Sequence, residues 1–187
     1  RSGGINNNTT WDETEAAYVL DDDVTVTSGY TLTISPGVVV KPRGYFAELL
    51  VDGTLIANGT SGSPVFFTSI KDDSAGGQTN NNADIAAAGD WGRVFFRSGS
   101  SGTLNYTEMR YGGHYTGMVY MDGGTNVTID QGVLKNSESC AISTDPGTDP
   151  TLTNMSSTDF TGNVFNGICL RSGGINNNTT WDETEAA

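Results

Sequence analysis

Apolar residues in this chain come in short alternating runs that end on turn residues. Val24-Thr25-Val26-Thr27 alternates and stops at Ser28-Gly29, and Leu32-Thr33-Ile34 alternates and stops at Ser35-Pro36-Gly37. Leu49-Leu50-Val51 meets Asp52-Gly53, Thr54-Leu55-Ile56 meets Asn58-Gly59, and Val65-Phe66-Phe67-Thr68 follows. Strands this short, closed by Gly, Asn, Asp or Pro, mark an all-β chain. No stretch of about 12 residues keeps a period of 3.6, so an all-helical fold is excluded. The 25 glycines and the many Asn, Thr and Ser residues agree, since Gly and Asn weaken helices and Thr prefers strands and turns.

The second half keeps the rhythm with Arg93-Val94-Phe95-Phe96, Leu104-Asn105-Tyr106, Glu108-Met109-Arg110-Tyr111, Met118-Val119-Tyr120 and Val127-Thr128-Ile129. These strands are too short for a sandwich built on long hairpins, although a β-sandwich or jelly roll is the alternative fold. They suit a β-solenoid of about seven rungs, each turn giving two or three strands and burying a few side chains in a stacked core. One segment breaks the rhythm. Residues 71–90 form a long excursion loop with little strand character, and Trp91 after it is expected to plug the loop back onto the coil.

The sequence also matches itself. Arg1 to Ala17 reads RSGGINNNTTWDETEAA, and Arg171 to Ala187 repeats it letter for letter, 170 positions later. A tag copied at both ends would account for the identity, but the segment resembles no usual tag and carries an aromatic anchor. A tandem array, or chains stacking head to tail, accounts for it as a shared joint. The chain then divides into a junction segment (1–17), a β-helix unit (18–170) and a second junction copy that starts the next repeat (171–187). Trp11 and Ile5, with Trp181 and Ile175 in the second copy, are the expected joint residues.

The blocks DVTVTSGYTLTISPGVVVK (Asp23 to Lys41), LLVDGTLIANGT (Leu49 to Thr60), PVFFTSIKDDSAGGQTN (Pro64 to Asn80), GDWGRVFF (Gly89 to Phe96) and YTEMRYGG (Tyr106 to Gly113) carry a resemblance. They are similar to right-handed parallel β-helix repeat proteins of the pectin-lyase-like type, and more narrowly to the non-enzymatic surface proteins of that type. The resemblance runs from about Tyr18 to Leu170. It implies the fold and leaves function open, because the fold serves lyases, hydrolases, adhesins and structural repeats.

Catalytic signals are missing. The pectin-degrading hydrolases of this fold carry NTD, DD, HG and RIK blocks; this chain has no NTD or RIK, and its single histidine, His114, is followed by Tyr115, so HG is absent. Lyases of the fold pair calcium-binding acids with a basic residue, and no such partner can be placed beside Asp21, Asp22 and Asp23. We therefore expect no enzyme and no catalytic residues. Asp72, Asp73, Asn80, Asn82 and Asp84 put oxygen donors around the long loop and are candidate ligands for Ca2+, which takes six to eight oxygens in flexible geometry. A solvated polar loop is the competing reading.

Cys140 and Cys169 lie 29 positions apart. They fall on adjacent rungs as a candidate disulfide, but the spacing exceeds the local repeat of roughly 27 by two, so two free thiols remain the alternative. Sequons begin at Asn7, Asn8, Asn58, Asn105, Asn126 and Asn154, with Asn58 a natural acceptor on an outward turn. Thr31-Leu32-Thr33 resembles the T-x-T faces of ice-binding solenoids, but the motif fades after Thr33, and these are read as ordinary outward strand residues.

The formal net charge of −13 opposes nucleic acid and anionic membrane surfaces, and the longest apolar runs are far too short to span a bilayer. Low Lys, abundant Thr, Asn and Gly, and acidity point to an extracellular or cell-surface protein. The expected role is a structural repeat module of an extracellular rod or filament whose partner is itself. The alternative is an adhesin or carbohydrate-binding β-helix, with Tyr106, Tyr111, Tyr115 and Tyr120 as candidate contacts for surface glycans.

Overall fold

The computed structural model describes residues 3–81, 84–176 and 178–184. The strands follow one another in rungs. The first rung is β1 (Gly3–Ile5), β2 (Thr9–Trp11) and β3 (Tyr18–Leu20); the second is β4 (Val24–Val26), β5 (Thr31–Ile34) and β6 (Val39–Pro42). The third is β7 (Leu49–Val51), β8 (Thr54–Asn58) and β9 (Val65–Phe67); the fourth is β10 (Val94–Phe96), β11 (Ser101–Asn105) and β12 (Thr107–Arg110). The fifth is β13 (Val119–Met121), β14 (Asn126–Asp130) and β15 (Val133–Lys135), and the sixth is β16 (Cys140–Thr144), β17 (Thr151–Thr153) and β18 (Phe160–Thr161). β19 (Phe165–Leu170) opens a seventh. Every strand pair is parallel, and the strands form three sheets: A with seven strands and B and C with six each. This is a parallel β-helix of about seven turns, and the sandwich alternative is set aside. Among the described residues the helical content is a single short 3-10 turn, Ser157–Asp159.

The local sequence explains the corners. Gly29, Gly99 and Gly124 take positive φ of 84°, 82° and 78° between sheets A and B, where a side chain would be strained. The corner between B and C is turned by one left-handed residue, Tyr106, Gln131 or Asn154, with φ of 43°, 54° and 52°. These corners fix which residues point inward, so the core is a set of stacked columns. In sheet B, Ile34, Ala57, Leu104, Ile129 and Leu152 follow one another; in sheet C, Val40, Phe67, Met109, Leu134 and Phe160 do the same. Nearly all are fully buried.

One column shows how tightly the rungs are matched. Leu32, Leu55, Gly102 and Val127 are stacked, and a Cβ at Gly102 would run into the Phe96 ring. Phe96 from sheet A fills the space that a side chain from sheet B fills in other rungs. Gly102→Val should therefore overpack the fourth rung and cost about 1–3 kcal/mol. Thermal unfolding followed by circular dichroism tests this; an unchanged midpoint would mean that Phe96 can move aside.

The first copy of the 17-residue segment is wound into the coil: Gly3–Ile5 pairs with β4 and Thr9–Trp11 with β5. The paired T-x-T motif gives way after Thr33, while one outward column of sheet B runs Thr10, Thr33, Ile56, Thr103, Thr128 and Thr151. The neighbouring column changes from Thr31 and Thr54 to Ser101 and Asn126, with a hydrogen bond of 3.1 Å between Thr54 Oγ1 and Ser101 Oγ. The face is uncharged in these two columns and interrupted at Ile56.

Candidate functional site

The excursion loop leaves sheet C after β9 and returns at Trp91, which is fully buried and donates its indole N–H to the Arg110 carbonyl at 2.7 Å. Trp91 thus anchors the loop as the sequence suggests. What holds the middle of the loop was not legible in the sequence. Lys41 is fully buried, and its ammonium donates to the carbonyl of Asp72 at 2.9 Å, the carbonyl of Gly77 at 2.6 Å and Thr79 Oγ1 at 3.3 Å. Burial pushes the Lys41 ammonium below its ordinary value, against the pull of Asp72 and Asp73.

Asp72 is equally committed. Its carboxylate accepts hydrogen bonds from Thr68 Oγ1 at 2.6 Å and from the Ser74 hydroxyl and amide, and it faces Arg110 at 3.4 Å. Burial alone would raise this carboxyl; the Ser74 and Thr68 donors and the Arg110 guanidinium outweigh it and hold it below 3.8. At the exit of the loop, Asp90 accepts from Ser69, Lys71 and the Ala87 amide.

Around Asp72 these residues do not fit a calcium site. An ammonium and a guanidinium already supply the positive charge, and the Asp72 oxygens are spoken for. Asp73 is exposed, Asn80 and Asp84 line one cleft with Arg43, Ile70, Lys71 and Thr79, and Asn82 lies outside the described residues. Among the described residues the acids that do converge are Asp149, Asp182 and Glu183, with ligand atoms within 4.8 Å of one another.

An aromatic cluster lies on the same side of the coil, on the corners between sheets C and A. Tyr45 stacks on His114 with ring centroids 4.9 Å apart, Phe46 meets it edge-on at 5.8 Å, and Tyr115 lies 3.8 Å from it. His114 Nδ1 is 2.7 Å from a Glu138 carboxylate oxygen. Tyr45, Phe46 and Tyr115 are exposed, at 54%, 76% and 78%. Of the four tyrosines singled out in the sequence, Tyr115 belongs to this cluster. Tyr106 and Tyr111 turn corners with positive φ, and Tyr120 lies on sheet A under the guanidinium groups of Arg93 and Arg171. Tyr45 and Phe46 were missed because YF in a turn carries no periodicity.

The two copies of the duplicated segment behave differently. In the first, Ile5 and Trp11 are half-buried against the core, and Trp11 stacks on Tyr18 at 4.9 Å with an interplanar angle of 14°. The Tyr18 hydroxyl accepts from the amides of Asp12 and Glu13. In the second, Ile175 and Trp181 are 52% and 55% exposed and in no strand. The second copy nonetheless reaches the end of the coil: Glu183 Oε1 accepts from the Leu152 amide on the outer edge of β17 at 3.0 Å, and Trp181 lies beside Ile168 and Leu170.

Cys140 and Cys169 form a disulfide, with Cα atoms 6.1 Å apart. The two-residue excess in their spacing is absorbed by an irregularity in the β16–β19 register between Cys140 and Ile142. Of the sequon asparagines, Asn58, Asn126 and Asn154 are exposed, and Asn105 is half-buried and donates to Asn58 Oδ1 at 3.0 Å.

Stacked parallel rungs, an excursion loop on one corner and no helical layer define a β-solenoid domain. A family model described as a pectate-lyase-like β-helix domain matches residues 3–118, well over half of the chain. The protein belongs to that family. Neither the curated proteins nor the solved structures contain a match to it.

Proposed function

We propose that this domain is a structural repeat module of an extracellular rod, joining like units head to tail and doing no chemistry of its own. The observation that carries the reading is the duplicated segment. One copy builds the first rung, and the identical copy follows the last strand and lies against the opposite end of the same coil. A surface at one end is thus complementary to its own continuation, the condition for an open, heterologous assembly. The extracellular setting is supported by the disulfide and by the acidic, Lys-poor composition. The charged groups on the loop are tied into ion pairs that hold structure, which favours a non-enzymatic reading.

Negative-stain electron microscopy of the purified chain at high concentration tests the reading. Filaments one coil wide are expected. Discrete particles at all concentrations, together with a two-unit chain that fails to extend as one rod, would sink it.

A second reading is favoured by the Tyr45, Phe46 and Tyr115 cluster. Exposed rings flanked by a carboxylate are the furniture of a sugar-binding platform. Binding of a glycan array that is lost in Tyr115→Ala, with the fold retained, would raise it.

A further inference from the structure

We propose that β1 is a placeholder strand: at a joint between units, β19 of one unit takes its position on β4 of the next, and Gly3–Ile5 leaves the sheet. This rests on the head-to-tail reading above and specifies its geometry. Sheet A holds seven strands where sheets B and C hold six. A coil that repeats must add equally to all three sheets, so one strand of sheet A has no place in the repeat.

The candidates are the two ends of that sheet, and they share a track. Following the register down sheet A, Gly3, Gly4 and Ile5 lie in the columns that end at Ile168, Cys169 and Leu170. β19 is six residues long and is bonded to β16 through the disulfide. β1 is three residues long, two of them exposed glycines with no side chain to offer Val24 or Thr25. In place of Gly3 and Ile5, β19 would set Ile168 and Leu170 against Val24 and Val26, burying more apolar surface at the same edge. The strand that can leave is β1.

The chain already shows both arrangements. In the first copy Gly-Gly-Ile is a strand. In the second it follows β19 and forms no strand; Trp181 then lies beside Ile168 and Leu170, and Glu183 reaches the Leu152 amide on the outer edge of β17. Trp11 sits in the column that ends at Leu152, so one rung further on the proposed joint would seat Trp181 in that column; in this chain it lies nearby, against Ile168 and Leu170. The seventh rung is therefore the first rung of the next unit, with β19 standing in for β1. The repeat then advances six rungs, ~29 Å, rather than the ~34 Å of seven.

The test is a two-unit chain in which residues 1–187 are continued by a second copy of residues 18–187. Hydrogen exchange should show the Gly-Gly-Ile amides protected in the N-terminal copy and exchanging at least about tenfold faster at the joint. Electron microscopy should place equivalent features of the two units ~29 Å apart on one straight coil. Ile5→Asp should lower protection in the first rung, and Ile175→Asp at the joint should leave every rung unchanged. Equal protection of both Gly-Gly-Ile copies with a spacing of ~34 Å would overturn the placeholder and leave the rod standing. Two particles that tumble independently would overturn both.

Discussion

Lys41→Met is expected to release the excursion loop while the coil stays wound. Methionine keeps the apolar stem that fills the space beneath the loop and removes the ammonium. The carbonyls of Asp72 and Gly77 and the Thr79 hydroxyl then lose their shared donor in a buried place. Charge-assisted bonds of this kind are worth about 1.5–3 kcal/mol each, and with three acceptors losing their donor the loop should lose at least about 3 kcal/mol. Limited proteolysis reads it directly: residues 71–90 should become the first site of cleavage. A variant cut no faster than the parent would show that Trp91 alone holds the segment. Acid should mimic the substitution. The Asp72 carboxyl is held below the ordinary aspartate range, so its stabilising contribution is complete above that range and disappears as the pH falls through the lowered value. Loop cleavage should rise in strong acid in the parent and respond much less in Asp72→Asn.

Removal of the disulfide should act at the last turns of the coil and nowhere else. Cys140 and Cys169 close a loop whose ends are 29 positions apart, and chain entropy puts such a bridge at about 3–4 kcal/mol. In a solenoid each rung touches only its neighbours, so the loss stays local. In Cys140→Ser/Cys169→Ser, amide protection across Phe165–Leu170 should fall by on the order of a hundredfold, while Leu49–Val51 and Val94–Phe96 keep theirs. Loss of protection along the whole coil would mean that the last rung nucleates the others.

The contrast between loop and coil shows what the residues announce. The rungs were legible because inward columns need alternating apolar residues and corners need Gly or Asn, both local signals. Leu32-Thr33-Ile34 followed by Ser35-Pro36-Gly37 says strand and turn without help from the rest of the chain. Lys41 says nothing locally. It closes an apolar run and reads as its solvent-facing end, yet the loop that buries it lies more than thirty residues on. The acids of that loop were read as ligands for a metal because the cation that answers Asp72 comes from other strands. The first rung was hidden for a similar reason: Gly-Gly-Ile has no strand signature and becomes one by lying against β4. Tyr45 and Phe46 were silent because their neighbour, His114, arrives from two rungs away.

The bridge between the sixth and seventh rungs also bears on how such a rod carries load. A pull along the axis does not stretch a coiled chain evenly; it peels rungs from an end, and each freed rung adds slack. Peeling that reaches Cys169 stops, because the covalent link to Cys140 keeps the intervening chain from paying out. About 29 residues stay wound at each such point, withholding on the order of 100 Å of slack per unit. If units join as proposed, an oxidised rod would therefore lengthen under tension by on the order of 100 Å less per unit than a reduced one.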